Sequence, residues 1–174
     1  MSFLIKLLAG GERISESELE KNRISINSSA PIVSMGSLKH NTGPLISHDF
    51  AYCSALIFDF GEEIIMAHVL PAPAPKNNPI YLENVFQKTI EKATEYNLNL
   101  LNSKAIIHAG TREDMDLLKS GISQLRIPLK SASFSKSTHP SRTVFYDPLT
   151  NYLEIRKSND QDNLDAHNVF EKEE

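Results

Sequence analysis

Apolar residues in this chain gather into short runs separated by glycine, proline and polar clusters. Two neighbouring runs, rich in β-prone side chains, are "YCSALIFDF" at 52–60 and "IIMAHVL" at 64–70, with Gly61 between them. This spacing predicts a β-hairpin. Later in the chain, "SKAIIHAG" and "RIPLKSASF" are predicted to be strands, and "RTVFYDPLTNYLEIRK" a second hairpin that turns around Asp147–Asn151.

Two segments between these strands have helical spacing. Residues 81–97 repeat apolar side chains on one face at Leu82, Val85, Phe86, Ile90 and Ala93. A second helix is predicted to open at Thr111, a residue type suited to capping, and its apolar stripe is Met115, Leu118 and Ile122. Strands outnumber helices, which predicts an α+β fold: a layered β-sheet core, mostly hairpins, with two or three packed helices.

The remaining segments are polar or proline-rich. Ser15 and Glu18 form a capping-box pattern that predicts a short helix, and residues 36–44, "GSLKHNTGP", are predicted to be a loop. "PAPAPKNNP" at 71–79 is an extended link, because proline is excluded from helix interiors. We therefore predict a single domain over residues 1–157, followed by an acidic, mobile tail at 158–174.

Composition narrows the class of partner. The 174 residues carry a net charge of -4, and the sequence pI is about 5.9, so nothing favours nucleic acid or an anionic membrane surface. The apolar start, "MSFLIKLLAGG", is too short to span a bilayer and lacks the basic leader of a signal peptide. A single cysteine cannot form an internal disulfide. We expect a cytoplasmic protein without membrane insertion.

The only cysteine, Cys53, and His68 lie on the two strands of the first predicted hairpin. A four-residue loop at 59–62 would set Phe58 opposite Glu63 and therefore Cys53 directly opposite His68, on one face of the sheet. An imidazole beside a thiol can accept its proton and so create the nucleophilic thiolate. A lone cysteine in an apolar strand is also common core packing, and that alternative stays open.

Other histidines carry weaker signals. His108, inside "AIIHAG", is expected to be a core histidine bonded to the backbone, while His48 lies on the approach to Cys53 and could touch a substrate. No histidines and carboxylates fall at the spacing of zinc ligands, so no metal site is predicted.

The region around Cys53 resembles the chemoreceptor glutamine deamidases, the CheD family, and the catalytic domains of the cytotoxic necrotizing factor toxins. The resemblance rests on Cys53, the turn "DFGEE", and His68 followed by Val69-Leu70-Pro71, with Ser47 six positions before the cysteine, where the family has threonine. The later order of helix, strand, helix and closing hairpin is similar too, so that it covers about residues 45–157. The family has small residues before the cysteine, whereas this chain has Ala51-Tyr52.

The resemblance implies a cysteine-dependent protein glutamine deamidase that converts Gln to Glu through a thioester and releases ammonia. Cys53 would be the nucleophile, His68 the acid and base, and Ser47 the residue that orients His68. Tyr52 and His48 would contact the substrate, a protein bearing the target glutamine, and neither metal nor organic cofactor is implied. A non-catalytic binding module on the same fold is the alternative, and transglutamination or other amide hydrolysis is a third hypothesis.

The acidic C-terminal "EKEE" is similar to signals on some bacterial secreted effectors. It adds the hypothesis that the protein is translocated and that its substrate is a host protein rather than a chemoreceptor. Acidic termini also serve solubility, so this stays an alternative to the cytoplasmic expectation. The oligomeric state has no signal in the sequence.

Overall fold

A computed structural model describes residues 30–71, 79–135 and 141–157 of the chain. The predicted helix at Ser15, the proline-rich link and the acidic tail lie outside these residues, apart from the two ends of the link. None of the helices in the described ranges is long and apolar enough to cross a membrane.

The described chain contains eight strands and two α-helices. The strands are β1 (Leu38–Thr42), β2 (Leu45–Phe50), β3 (Ser54–Asp59), β4 (Glu63–Val69), β5 (Lys104–Ala109), β6 (Leu129–Phe134), β7 (Arg142–Asp147) and β8 (Tyr152–Lys157). The helices are α1 (Val85–Glu95) and α2 (Arg112–Gln124), and a single 3₁₀ turn, Leu100–Asn102, precedes β5.

The strands form two sheets. The larger sheet has the order β1-β4-β3-β5-β6, and the smaller one the order β2-β7-β8. All pairs are antiparallel except β5 and β6, which run parallel because α2 carries the chain across between them. Consecutive strands β2 and β3 therefore lie in different sheets, and the three residues between them cross from one layer to the other.

Each face of the larger sheet covers a separate core. On one face, Leu56, Phe58 and Ile107 pack with Val85 of α1 and Leu118 of α2. The other face packs against the smaller sheet, with one group of buried side chains from the large sheet (Ala55, Ile57, Ile64, Met66, Ile106) and another from the small sheet (Leu45, Phe50, Val144, Tyr146, Leu153). The predicted layered α+β fold is confirmed.

The helices follow their sequence signals with one exception. The Thr111 side chain caps α2 by accepting a hydrogen bond from the Asp114 N–H at 3.1 Å, as predicted. In α1, however, Ile90 is 44% exposed, and Thr89 takes its place in the buried face. Thr89 can be buried because its hydroxyl donates to the Val85 carbonyl at 2.7 Å.

The segment predicted as a loop at 36–44 contains β1 instead. This strand pairs with the outer edge of β4, from Leu38 opposite Ala67 to Thr42 opposite Glu63. Its side chains are largely exposed or half-buried. The strand is held by backbone pairing with an open sheet edge. Because neither of its faces is fully buried, its sequence lacks the apolar alternation from which a strand is predicted.

The first hairpin is present, but its register differs by two residues from the prediction. Asp59 pairs with Ile64, and His68 lies opposite Ala55 rather than Cys53. The turn is fixed one residue later than predicted because Asp59 Oδ1 accepts the Gly61 N–H at 2.8 Å and Gly61 takes φ 105°. A shift of two residues preserves the face of every side chain, so Cys53 and His68 still share one.

Candidate active site

Cys53 lies at the crossing between the two sheets, immediately before β3. It is buried, 8% exposed, and it contributes to the core between the sheets. Gly110 holds this crossing close to β5: a Cβ at Gly110 would overlap the Tyr52 carbonyl and lie 2.9 Å from the Cys53 carbonyl oxygen. Only glycine allows that approach.

A bulge at the end of β2 directs the chain towards this position. Ser47 pairs with Val144 and Phe50 with Arg142, so β2 contains one residue more than β7 over the same stretch. Asp49 in the bulge takes a left-handed conformation, with φ 67°. Beyond the bulge, the Arg142 guanidinium donates to the Ala51 carbonyl at 3.2 Å, which ties the crossing to β7.

Ser47 fixes the orientation and the tautomer of His68. Ser47 Oγ lies 2.6 Å from the Val33 carbonyl oxygen and 2.9 Å from His68 Nδ1. A serine hydroxyl has one proton, and a carbonyl can only accept, so that proton goes to Val33. Ser47 Oγ must then accept from His68, which places the imidazole proton on Nδ1 and leaves Nε2 as a bare nitrogen.

His68 Nε2 is buried, and no described residue gives it a hydrogen-bond partner. The Phe50 ring stacks on the imidazole, with centroids 4.0 Å apart and planes 13° from parallel, so the ring cannot turn freely. Cys53 lies two residues before Ala55, the partner of His68, and is therefore its diagonal neighbour on the same face, at about 7–8 Å between Cα atoms. The bare nitrogen is chemically suited to accept a thiol proton.

The resting pair is neutral. The pKa of the Cys53 thiol is raised to about 11. Burial is the main cause, and the nearby carboxylates of Asp114 and Asp49 act in the same direction. Burial lowers the pKa of His68 to about 4, with Asp49 acting in the opposite direction. This geometry therefore does not produce a preformed thiolate–imidazolium pair: thiol and neutral imidazole coexist near neutral pH.

The two predicted substrate contacts stand in different places. Tyr52 is 55% exposed directly beside Cys53, at the surface of the crossing. His48 is half-buried, and its Nδ1 lies 2.9 Å from Thr143 Oγ1. Thr143 neighbours Val144, the partner of Ser47, and points to the opposite side of the small sheet, so the structure does not bring His48 to Cys53.

A second serine–histidine pair, which the sequence did not predict, lies on the same face of the large sheet. His108 Nδ1 lies 2.8 Å from Ser133 Oγ, so the predicted backbone partner is replaced by a side chain. His108 lies on β5, opposite Ala55 of β3, and Ser133 lies on β6, opposite His108. No local signal could have paired them, since they are brought together by the parallel crossover through α2.

Within the described residues, no three side chains of the histidine, cysteine, aspartate and glutamate types are grouped as a metal site would require. No known family model matches the chain, and no curated protein matches it. The family resemblance therefore remains a prediction from the residues quoted above.

Proposed function

We propose that this protein is a cysteine-dependent glutamine deamidase acting on a protein substrate. The observation that carries the proposal is the Ser47–His68 contact, which leaves Nε2 bare and buried on the face that Cys53 shares. A neutral imidazole in this tautomer is able to accept a thiol proton and to return it to a leaving group.

The chemistry begins from a neutral pair rather than from a preformed ion pair. As the Cys53 sulfur attacks the carboxamide carbon, His68 Nε2 removes the thiol proton, and the carbonyl electron pair moves onto oxygen. The tetrahedral intermediate collapses when His68 returns that proton to nitrogen, the C–N bond breaks and ammonia leaves. Water then attacks the thioester, His68 takes its proton, and the thiolate departs and is reprotonated, leaving glutamate.

Ser47 is a positioning residue in this scheme. Its hydroxyl holds Nδ1–H, so that Nε2 rather than Nδ1 is the basic nitrogen, and it stabilises the imidazolium that forms during attack. The substrate amide must reach the sulfur of Cys53, a residue that is only 8% exposed, and Tyr52 is the exposed side chain beside it. We therefore assign Tyr52 to the entrance of the site and assign no role to His48.

Candidate substrates are sought directly by mass spectrometry. Lysate proteins are incubated with the wild type or with Cys53→Ser in ¹⁸O-labelled water, and glutamine-to-glutamate conversions are identified. We expect ¹⁸O in a small set of new glutamates with the wild type alone, because the water oxygen enters the carboxylate. Equal conversion by the two proteins, together with Cys53 alkylation only after denaturation, would refute the proposal.

A non-catalytic binding module is the second candidate, and the raised thiol pKa together with the burial of Cys53 favours it. This candidate predicts that Cys53→Ala retains partner binding and that no substrate is modified.

Adding a labelled primary amine to the same incubation tests transglutamination, since an amine intercepts the shared thioester. Amine incorporation in place of ¹⁸O would move the assignment to that reaction.

A further inference from the structure

We infer that His108 is a further catalytic residue of this site, with its Nε2–H donating a hydrogen bond to the oxyanion that forms when Cys53 attacks a carbonyl. This inference rests on the proposed function. It arises from the row His68–Ala55–His108 across three neighbouring strands of the large sheet.

The two imidazoles flank β3, the strand that follows Cys53. His68 on β4 and His108 on β5 are both opposite Ala55, and both are therefore diagonal neighbours of Cys53 on one face. The residue between them, Ala55, has only a methyl group as its side chain. His108 is 2% exposed, and its Nε2 has no partner among the described residues.

The relative strength of the two possible acceptors decides the tautomer of His108. Ser133 is 3% exposed, and its hydroxyl contacts only His108 Nδ1 within the described residues. If Nδ1–H donated to Ser133, both the serine proton and the Nε2 lone pair would be buried without partners. If Ser133 donates to Nδ1, the unpaired groups are Nε2–H and a serine lone pair, so both arrangements leave one donor and one acceptor without a partner. An imidazole nitrogen is a stronger acceptor than a hydroxyl oxygen, and leaving its lone pair buried and unpaired costs more, so the arrangement in which Nδ1 accepts the serine proton is preferred.

The two nitrogens therefore have complementary chemistry. His68 presents a bare Nε2 that accepts a proton, and His108 presents an Nε2–H that donates a hydrogen bond. His108 also stays neutral, because burial and the nearby Arg142 guanidinium lower its pKa to about 3. A neutral donor in a buried site stabilises a developing oxyanion without giving up its proton, as oxyanion donors do.

Two reagents separate this role from thiol reactivity. Acylation of Cys53 by p-nitrophenyl acetate forms a C–S bond, passes through an oxyanion and expels p-nitrophenolate, whereas alkylation by iodoacetamide displaces iodide with no oxyanion. We expect His108→Ala to lower the acylation rate about 10²–10³-fold, the effect of losing one oxyanion donor, and to leave alkylation within about twofold. His108→Gln, which keeps an N–H donor, should recover part of the acylation rate.

Ile106→Ala is the matched control, because Ile106 belongs to the same strand and the same inter-sheet core. It leaves a cavity without removing a donor, so its ratio of acylation to alkylation should equal that of the wild type. If His108→Ala fails to fold, His108→Gln and Ser133→Ala decide the question by the same ratio, since Ser133→Ala removes the group that fixes the tautomer. We expect Ser133→Ala to lower the ratio.

The outcomes distinguish the two proposals. If native wild type reacts with both reagents and the histidine and serine variants keep its ratio, the assignment of His108 is overturned and the deamidase proposal survives. If native wild-type Cys53 reacts with neither reagent, both fall. A reduced ratio in His108→Ala or Ser133→Ala, with an unchanged ratio in Ile106→Ala, supports the oxyanion role.

Discussion

The Ser47–His68 and Ser133–His108 pairs look alike but differ in where the serine proton goes. Both contacts join a hydroxyl to Nδ1, at 2.9 and 2.8 Å, and both leave Nε2 buried. Ser47 has the Val33 carbonyl as a second partner, and Ser133 has no counterpart among the described residues. The group beyond the serine therefore determines whether the histidine presents a base or a donor.

The pairs also differ in how the fold assembles them. Ser47 reaches His68 from the small sheet, so this contact joins two layers. Ser133 and His108 are neighbours within the large sheet, on parallel strands. The first pair therefore depends on how the sheets pack, through the Phe50 ring and the bulge at Asp49, while the second depends only on strand register.

The largest expected effect separates the base from the donor. His68→Ala should lower p-nitrophenyl acetate acylation about 10²–10⁴-fold, the range of general acid–base catalysis, and should lower iodoacetamide alkylation as well. The alkylation rate is the decisive measurement, because only the base is needed there. His40→Ala, which removes a half-buried histidine on β1, serves as control. Equal alkylation by His68→Ala and wild type would erase the distinction between the two imidazoles.

Sequence reasoning predicted the proposed base, His68, and missed the proposed donor, His108. Cys53 and His68 are joined by one hairpin, so local turn rules place these two on one face despite the two-residue error in register, whereas Ser47 enters only through the family resemblance. That error came from Asp59, whose carboxylate anchors the turn and also contacts Lys130 and Tyr146, partners far along the chain.

His108 could not be found in this way. Its position beside Cys53 requires β5 to pair with β3, and its partner requires β6 to lie parallel to β5. These are choices between sheets and strand orders, which alternation and turn residues do not encode. The layered fold was predictable from the runs of apolar residues, because burial alone specifies it; the edge strand β1 was not, because its pairing is through the backbone.

Acid should destabilise the fold through both histidines. In the unfolded chain they protonate near pH 6.5, whereas the folded state keeps them neutral down to about 4 for His68 and about 3 for His108. The unfolded state then binds more protons, so the free energy of unfolding falls as the pH falls from about 6.5 towards 3. Each pKa unit is worth about 1.4 kcal/mol, so each histidine contributes a few kcal/mol.

Urea unfolding across this pH range measures the effect. His68→Gln should flatten the decline down to about pH 4, and His108→Gln should flatten it further into the acid, because the glutamine side chain does not titrate. If a variant shows the same fall in the free energy of unfolding with pH as the wild type, its histidine is already protonated or solvated in the folded state. That histidine would then no longer belong in the comparison of the two pairs.

Truncating the two serines should have unequal costs. Ser47→Ala leaves two buried groups without partners, the Val33 carbonyl and His68 Nδ1–H, whereas Ser133→Ala leaves only His108 Nδ1. At about 1–3 kcal/mol for each group, the Ser47 variant should lose roughly twice as much free energy of unfolding. Threonine at either position keeps the hydroxyl and should restore most of the loss.

Nitrogen-15 NMR of the imidazole rings tests the same asymmetry without perturbing stability. In the wild type we expect the proton on Nδ1 of His68 and on Nε2 of His108, since one serine accepts and the other donates. Ser133→Ala should release His108 from its tautomer and leave His68 unchanged, while Ser47→Ala should do the reverse. If both rings carry the proton on the same nitrogen, the Val33 carbonyl does not distinguish the two pairs. The assignment of His68 as base and His108 as donor would then lose its physical basis.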